Sequence, residues 1–83
     1  MELTQEEIKW LKRVQKALDS CPSSRLGFYT IGGYNVGIYD KDEYDNMDSR
    51  ITNNNDLVHI LNKYDIGCEF HLGLPAHVEG VCG

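Results

Sequence analysis

The chain has 83 residues, which is enough for one domain with a small hydrophobic core. Forty-one per cent of the residues are hydrophobic and 25% are charged, so the composition excludes a chain that is disordered along its whole length. The formal net charge of −5 argues against overall attraction to nucleic acid or to an anionic membrane, and no apolar run is long enough to span a bilayer.

The three cysteines, Cys21, Cys68 and Cys82, cannot all pair within one chain, because their number is odd. The acidic N-terminus leads directly into a helix signal and lacks the features of a secretory signal peptide. We therefore expect free thiols in a reducing cytoplasm, with Cys21 and Cys68 acting as small buried hydrophobic residues.

The first predicted helix begins at a T-x-x-E capping box formed by Thr4 and Glu7, and Leu3 and Ile8 occupy the positions of a hydrophobic staple. Pro22 ends the helical pattern. One half of the helix is apolar and comprises Ile8, Trp10, Leu11, Val14, Ala17 and Leu18. The opposite half carries a stripe of four basic residues, Lys9, Lys12, Arg13 and Lys16.

A β-hairpin is predicted next, from two β-rich runs at residues 25–31 and 34–40. Gly32 and Gly33 separate the runs and can supply the positive φ angles of a two-residue turn. Such a turn pairs Ile31 with Tyr34, Tyr29 with Val36, and Gly27 with Ile38.

This register places Leu26, Phe28 and Tyr39 on one semi-apolar face of the hairpin, with Phe28 opposite Gly37. Nothing obvious covers this face in a one-layer sheet, so we expect these three residues to form a protein-binding surface. The open sheet edge is a second route to self-association. Coverage by the acidic loop or by the C-terminal tail is the competing interpretation.

Residues 40–55 form a polar stretch that we expect to be a loop, with one helical turn around Tyr44 and Met47. Five acidic residues against one lysine give residues 40–48 a net charge of −4. A second helix follows, with Asn55 as its N-cap and Asp56 in its first turn. Its apolar positions are Leu57, Ile60, Leu61 and Tyr64.

The last predicted element is a half-buried strand in which Cys68, Phe70 and Leu72 alternate with polar residues or glycine. Pro75 is expected to end it, leaving residues 76–83 as an irregular tail. The order is α-β-β-α-β. It predicts a single α+β domain over residues 1–83, with a three-stranded antiparallel sheet and two helices on one face.

No motif for catalysis or for a cofactor stands out, so we expect neither an enzyme nor a cofactor. Cys68, His71, His77 and Cys82 are residue types that bind zinc, but Cys68 and His71 are three apart on a strand and point to opposite faces. The acidic stretch lacks the glycine and the final glutamate of an EF-hand loop. We therefore expect no metal.

Three binding functions stay open. The leading one is protein–protein binding through the semi-apolar hairpin face, with self-association into a homodimer or a larger homo-oligomer. The second is nucleic-acid binding through Lys9, Lys12, Arg13 and Lys16, although a lysine face also serves solubility alone. The third is an acidic mimic of nucleic acid, in which Asp42, Glu43 and Asp45 stand in for phosphates.

Five segments carry a resemblance to known proteins: residues 10–18, 21–23, 25–32, 38–40 and 74–78. They resemble a family of small proteins encoded by bacteriophages and prophages of enteric bacteria. The resemblance covers most of the chain and is weakest between residues 40 and 64. It implies a bacterial cytoplasm as the setting and no particular chemistry. By analogy with other small phage accessory proteins, the partner is a host or phage protein.

Overall fold

The computed structural model describes residues 1–79 and confirms an α+β fold with a three-stranded antiparallel sheet in the order β1-β2-β3. The elements in chain order are α1 Gln5–Asp19, β1 Leu26–Tyr29, β2 Gly33–Asp40, α2 Lys41–Asp45, α3 Ser49–Asn54, α4 Leu57–Lys63 and β3 Gly67–Val78. The prediction of two helices is therefore too low for this part of the chain.

Helix α1 begins at the predicted capping box. The hydroxyl of Thr4 accepts a hydrogen bond from the backbone N–H of Glu7, and the Glu7 carboxylate accepts one from the N–H of Thr4. The helix ends at Asp19, before Pro22, as predicted. However, none of its residues is buried, so the expected packing of α1 on the sheet is wrong for this structure.

The polar stretch after β2 is mostly helical, although a loop was predicted. Asp40 caps α2 by accepting a hydrogen bond from the N–H of Glu43, and Asp48 caps α3 by accepting one from the N–H of Arg50. Each aspartate satisfies a backbone donor that a short helix leaves free at its start. Tyr44 lies in α2 as predicted, whereas Met47 lies between the two helices.

Helix α4 is capped by Asp56, one residue later than predicted. The Asp56 carboxylate accepts the N–H of His59, whereas the Asn55 amide donates to the carbonyl of Ile51 at the end of α3. Within the described residues, Ile60 and Leu61 are the buried hydrophobic side chains. Both belong to the predicted apolar face of this helix.

The register of the β1–β2 hairpin is offset by one residue from the predicted one. Tyr29 pairs with Gly37, and Gly27 pairs with Tyr39. Gly32 and Gly33 do adopt positive φ angles, of 95° and 82°. However, the last paired residues of the hairpin are Tyr29 and Gly37, so residues 30–36 form the connection between them. The predicted two-residue turn is therefore wrong. The observed register makes two opposed tyrosine–glycine pairs, whereas the predicted register made one aromatic–glycine pair.

Strand β3 continues through Pro75 to Val78, so the predicted end of the strand is wrong. Proline is tolerated here because β3 is an edge strand, where an N–H on the open side is not needed for pairing. The pairing with β2 is also irregular between Asn35–Gly73 and Gly33–Val78. Of the predicted irregular tail, residues 80–83 lie outside the described residues.

The described fold is elongated and exposes an unusually large surface. Its radius of gyration is 15.6 Å and its extents are 48 × 29 × 23 Å, whereas a compact chain of this length has a radius of gyration of about 12 Å. The exposed surface is 7019 Å², compared with about 5,000 Å² for a compact monomer of this mass. The chain therefore leaves apolar surface uncovered that a compact protein would bury.

Candidate interaction surfaces

One face of the sheet, which we call the Phe28 face, is apolar. Its residues are Leu26, Phe28, Val36, Ile38 and Leu72. Phe28 lies directly opposite Ile38, and Val36 lies directly opposite Leu72, so these four side chains share one side of the sheet. Phe28 is 48% exposed and Leu72 is 38% exposed, while the other three are half-buried. This is a continuous apolar surface that spans all three strands.

The opposite face carries the tyrosines. Tyr39 lies over Gly27, and Tyr29 lies over Gly37, where a Cβ atom would collide with the tyrosine ring. The centroids of the two tyrosine rings are 6.1 Å apart, and the rings meet edge to face. Tyr39 makes a similar edge-to-face contact with Tyr44 of α2, with ring centroids 5.8 Å apart. This face is thus partly covered from within the chain.

The residues predicted for protein binding are therefore divided between the two faces. Leu26 and Phe28 lie on the Phe28 face, whereas Tyr39 lies on the tyrosine face. The sequence prediction missed Val36 and Ile38, because the one-residue offset assigned them to the other side. The two tyrosine–glycine pairs are the signal that identifies the observed register in the sequence.

Helix α1 presents a second apolar surface, which we call the α1 stripe. It consists of Ile8, Trp10, Leu11, Val14, Ala17 and Leu18. Trp10 is 45% exposed and Leu18 is 51% exposed, and Ile8 alone of the six is only half-exposed. A stripe this wide is typical of a helix that packs on a layer of structure rather than of a solvated helix.

The predicted basic stripe lies on the far side of α1 from these apolar residues. All four of its members, Lys9, Lys12, Arg13 and Lys16, are exposed. None of them forms a salt bridge with any residue between positions 1 and 79. Their charges are therefore available to an anionic partner.

The acidic residues of the segment 40–48 have mainly structural roles. Asp40 pairs with Arg25 at 3.3 Å, Asp45 pairs with Lys41 at 2.7 Å, and Asp48 pairs with Arg50 at 2.9 Å. Two of these aspartates are also helix caps. The mimicry of phosphates by Asp42, Glu43 and Asp45 stays a prediction, with one of the three carboxylates already paired.

Two of these pairs shift the pKa values of their members. The hydrogen bond from the Arg50 side chain, followed by the bond from its backbone N–H, holds the pKa of Asp48 below its usual range. The hydrogen bond to Asp45, together with the charge of that carboxylate, raises the pKa of Lys41. Both effects favour the charged forms and therefore the ion pairs.

No metal centre forms among residues 1–79, since no three histidine, cysteine or acidic side chains come close enough to hold an ion. Cys21 and Cys68 are free thiols, but both are exposed, so the prediction that they are buried hydrophobic residues is wrong. Cys82, a member of the zinc pattern considered above, lies outside the described residues. His77 instead contacts Glu79 at 3.5 Å and stacks edge to face with Tyr34.

Comparison with known proteins assigns the chain to no family. No family model matches it, and no curated protein or solved structure is significantly similar to it. The resemblance to proteins of phages and prophages stays a prediction, as does the bacterial cytoplasm that it implies. Over residues 1–79, no helix is both long enough and apolar enough to cross a membrane.

Proposed function

We propose that the protein is a phage-type or prophage-type accessory module that acts by binding another protein and that also self-associates. The observation that carries this proposal is the pair of uncovered apolar surfaces, the Phe28 face and the α1 stripe. Monomeric proteins rarely expose contiguous apolar patches of more than a few hundred Å², and larger patches typically mark contact surfaces.

The Phe28 face has the chemistry of an interface centre. Phe28 is an aromatic side chain with about half of its surface exposed, and the residues around it, Val36, Ile38 and Leu72, carry no charge. Aromatic anchors surrounded by uncharged side chains contribute most of the binding free energy in protein–protein interfaces. The paired Arg25 and Asp40 lie at one end of the face and supply a polar rim.

The test is a tagged pull-down from a nuclease-treated bacterial lysate, with the wild-type chain compared with Phe28→Asp. We expect a stoichiometric protein partner that Phe28→Asp fails to capture, because a charge at the centre of an apolar contact must be desolvated without a partner. Ile31→Asp is the matched control: Ile31 is 84% exposed in the hairpin loop, and its replacement should leave capture intact.

Circular dichroism of both variants completes this experiment. If Phe28→Asp unfolds the protein, the Phe28 face is part of its own core and the proposal loses its basis. Equal capture by the wild-type chain and a folded Phe28→Asp variant would place the binding surface elsewhere.

A second function is favoured by the basic stripe of α1, whose four charges have no salt-bridge partner among residues 1–79. About four phosphate contacts predict that the logarithm of the affinity for DNA or RNA falls against the logarithm of salt concentration with a slope of about −3 to −4. Fluorescence anisotropy with a labelled oligonucleotide measures this slope. Replacing all four residues with glutamine should abolish binding, whereas Lys63→Gln should not. Absence of binding at low salt would exclude this function.

A further inference from the structure

We propose that the Phe28 face is covered by the α1 stripe of a second copy of the chain, and that the two copies exchange α1 reciprocally in a two-fold symmetric dimer. This inference rests on the proposed function: it identifies the partner in self-association, and a foreign protein that binds through Phe28 would compete with the second copy for this face. It starts from the exposed surface. The chain exposes 7019 Å², which is about 2,000 Å² more than a compact monomer of its mass.

That excess matches what a permanent dimer buries. Two copies together carry about 4,000 Å² of surplus surface, and obligate homodimers bury between about 2,000 and 5,000 Å² in total. A smaller contact, such as the pairing of two short edge strands, would leave most of the surplus exposed. The amount of surface therefore indicates an extensive interface that includes both apolar surfaces.

The two surfaces also fit each other in size. Helix α1 has 15 residues and is about 22 Å long at 1.5 Å per residue. Strand β2, the centre of the Phe28 face, has eight residues and is about 26 Å long at 3.3 Å per residue. An amphipathic helix on an apolar sheet face is the usual way in which an α+β core is closed.

The charges agree with this arrangement. When the α1 stripe faces the sheet, the basic stripe points away from it, so Lys9, Lys12, Arg13 and Lys16 keep their hydration. The five residues that define the Phe28 face are uncharged, and Asp40, which lies opposite Leu26 at the end of the face, is paired with Arg25. The contact therefore avoids the desolvation penalty of an unpaired ion.

A second copy is a better occupant than the chain's own helix or a foreign protein. The chain's own α1 has no buried residue and does not cover the face. A foreign protein would have to cover two separate surfaces of different shape, whereas a two-fold exchange covers both surfaces of both copies with one repeated contact.

The first test is the mass in solution, measured by light scattering, of wild-type protein and two variants that introduce the same side chain. Wild-type protein should have twice the chain mass of 9.5 kDa. Leu11→Gln removes an apolar side chain from the α1 stripe twice per dimer and should weaken the dimer by about a hundredfold or more. Lys12→Gln lies on the basic stripe and should leave the dimer intact. A wild-type monomer at all concentrations overturns the proposal.

The second test identifies the contact directly in the wild-type protein. Isotope-labelled and unlabelled chains are unfolded, mixed and refolded, and nuclear Overhauser effects between copies are selected by isotope filtering. We expect effects between the methyl groups of Leu11 or Leu18 and the ring of Phe28 that cross from one copy to the other. If these Overhauser effects occur only within one copy, the exchange is refuted. It is also refuted if the protein is a dimer that lacks them.

These outcomes are separate from those of the pull-down. A monomer that captures a bacterial partner through Phe28 leaves the proposed function standing and refutes the exchanged dimer. A dimer with the expected effects between copies but without any captured partner supports the exchange and refutes the binding of another protein.

Discussion

At the scale of single residues, the two tyrosine–glycine pairs explain how β1 and β2 align. Tyr29 lies opposite Gly37 and Tyr39 lies opposite Gly27, and each ring occupies the space that a side chain on the glycine would take. A ring over a glycine covers backbone that would otherwise be exposed to water. The predicted register, set by a two-residue turn at Gly32 and Gly33, contains neither pair.

Gly37→Ala should lower the free energy of unfolding by about 1–3 kcal/mol, because the new methyl group displaces the Tyr29 ring. The measurement is the urea midpoint, read by circular dichroism. Gly73→Ala is the control: its Cβ would meet only the Asn35 side-chain oxygen at 3.9 Å, an ordinary contact. If both variants are equally stable, the tyrosine ring does not depend on the absence of a side chain at position 37.

Because Asp48 caps α3, the stability of this helix should depend on pH. Its pKa is lowered by the hydrogen bond from Arg50, so its contribution is present above the usual aspartate pKa of about 3.9 and is lost as the pH falls through the lower folded value. Backbone amide shifts of Ser49–Asn54 should therefore move towards random coil at acid pH. Asp48→Asn keeps an N-cap without a titrating group, and its α3 shifts should stay constant. A constant wild-type profile would contradict this role.

At the scale of elements, α1 is held by its own local interactions in the single chain, since none of its residues is buried there. The capping box at Thr4 and Glu7 is the main one. Elements with little burial open more readily than elements in a core. The stability of α1 should therefore respond strongly to its cap.

Thr4→Ala should accelerate amide hydrogen exchange in the first two turns of α1 by about fivefold, which corresponds to about 1 kcal/mol for a lost N-cap. Exchange in β2 should be unaffected. Thr4→Ser keeps the capping hydroxyl and should exchange like the wild-type chain. Equal rates in all three proteins would show that the capping box does not limit opening of α1.

At the scale of the whole molecule, the described chain has too small a buried core for its length. Ile60 and Leu61 are its buried hydrophobic side chains within residues 1–79, while a domain of this size needs nearly all its apolar surface to reach about 3–5 kcal/mol of net stability. In the proposed dimer, association supplies the rest.

The melting temperature should therefore increase with protein concentration, because unfolding of a dimer releases two chains and mass action opposes it. Differential scanning calorimetry over a series of concentrations measures this increase. Leu11→Gln, which weakens the dimer, should have a lower melting temperature than the wild-type protein at each concentration. A constant value for the wild-type protein would mean that folding does not require a second copy.

The Phe28 face could be predicted only in part from the sequence. Leu26 and Phe28 share one face of the sheet as predicted, because their alternation along one strand is a local property. Val36 and Ile38 were assigned to the face opposite Phe28, and Tyr39 was assigned to the Phe28 face. All three assignments are wrong because a one-residue change in register moves every side chain of β2 to the other side of the sheet.

By itself the sequence determined the features that depend on neighbours within about four residues. These include the start of α1 at Thr4, the positive φ angles of Gly32 and Gly33, and the apolar side of α4 that buries Ile60. Only the tertiary structure decided the strand register and which apolar surfaces stay uncovered. Both depend on contacts between residues far apart in the chain, whose energies are set by how complete faces pack together rather than by any local pattern.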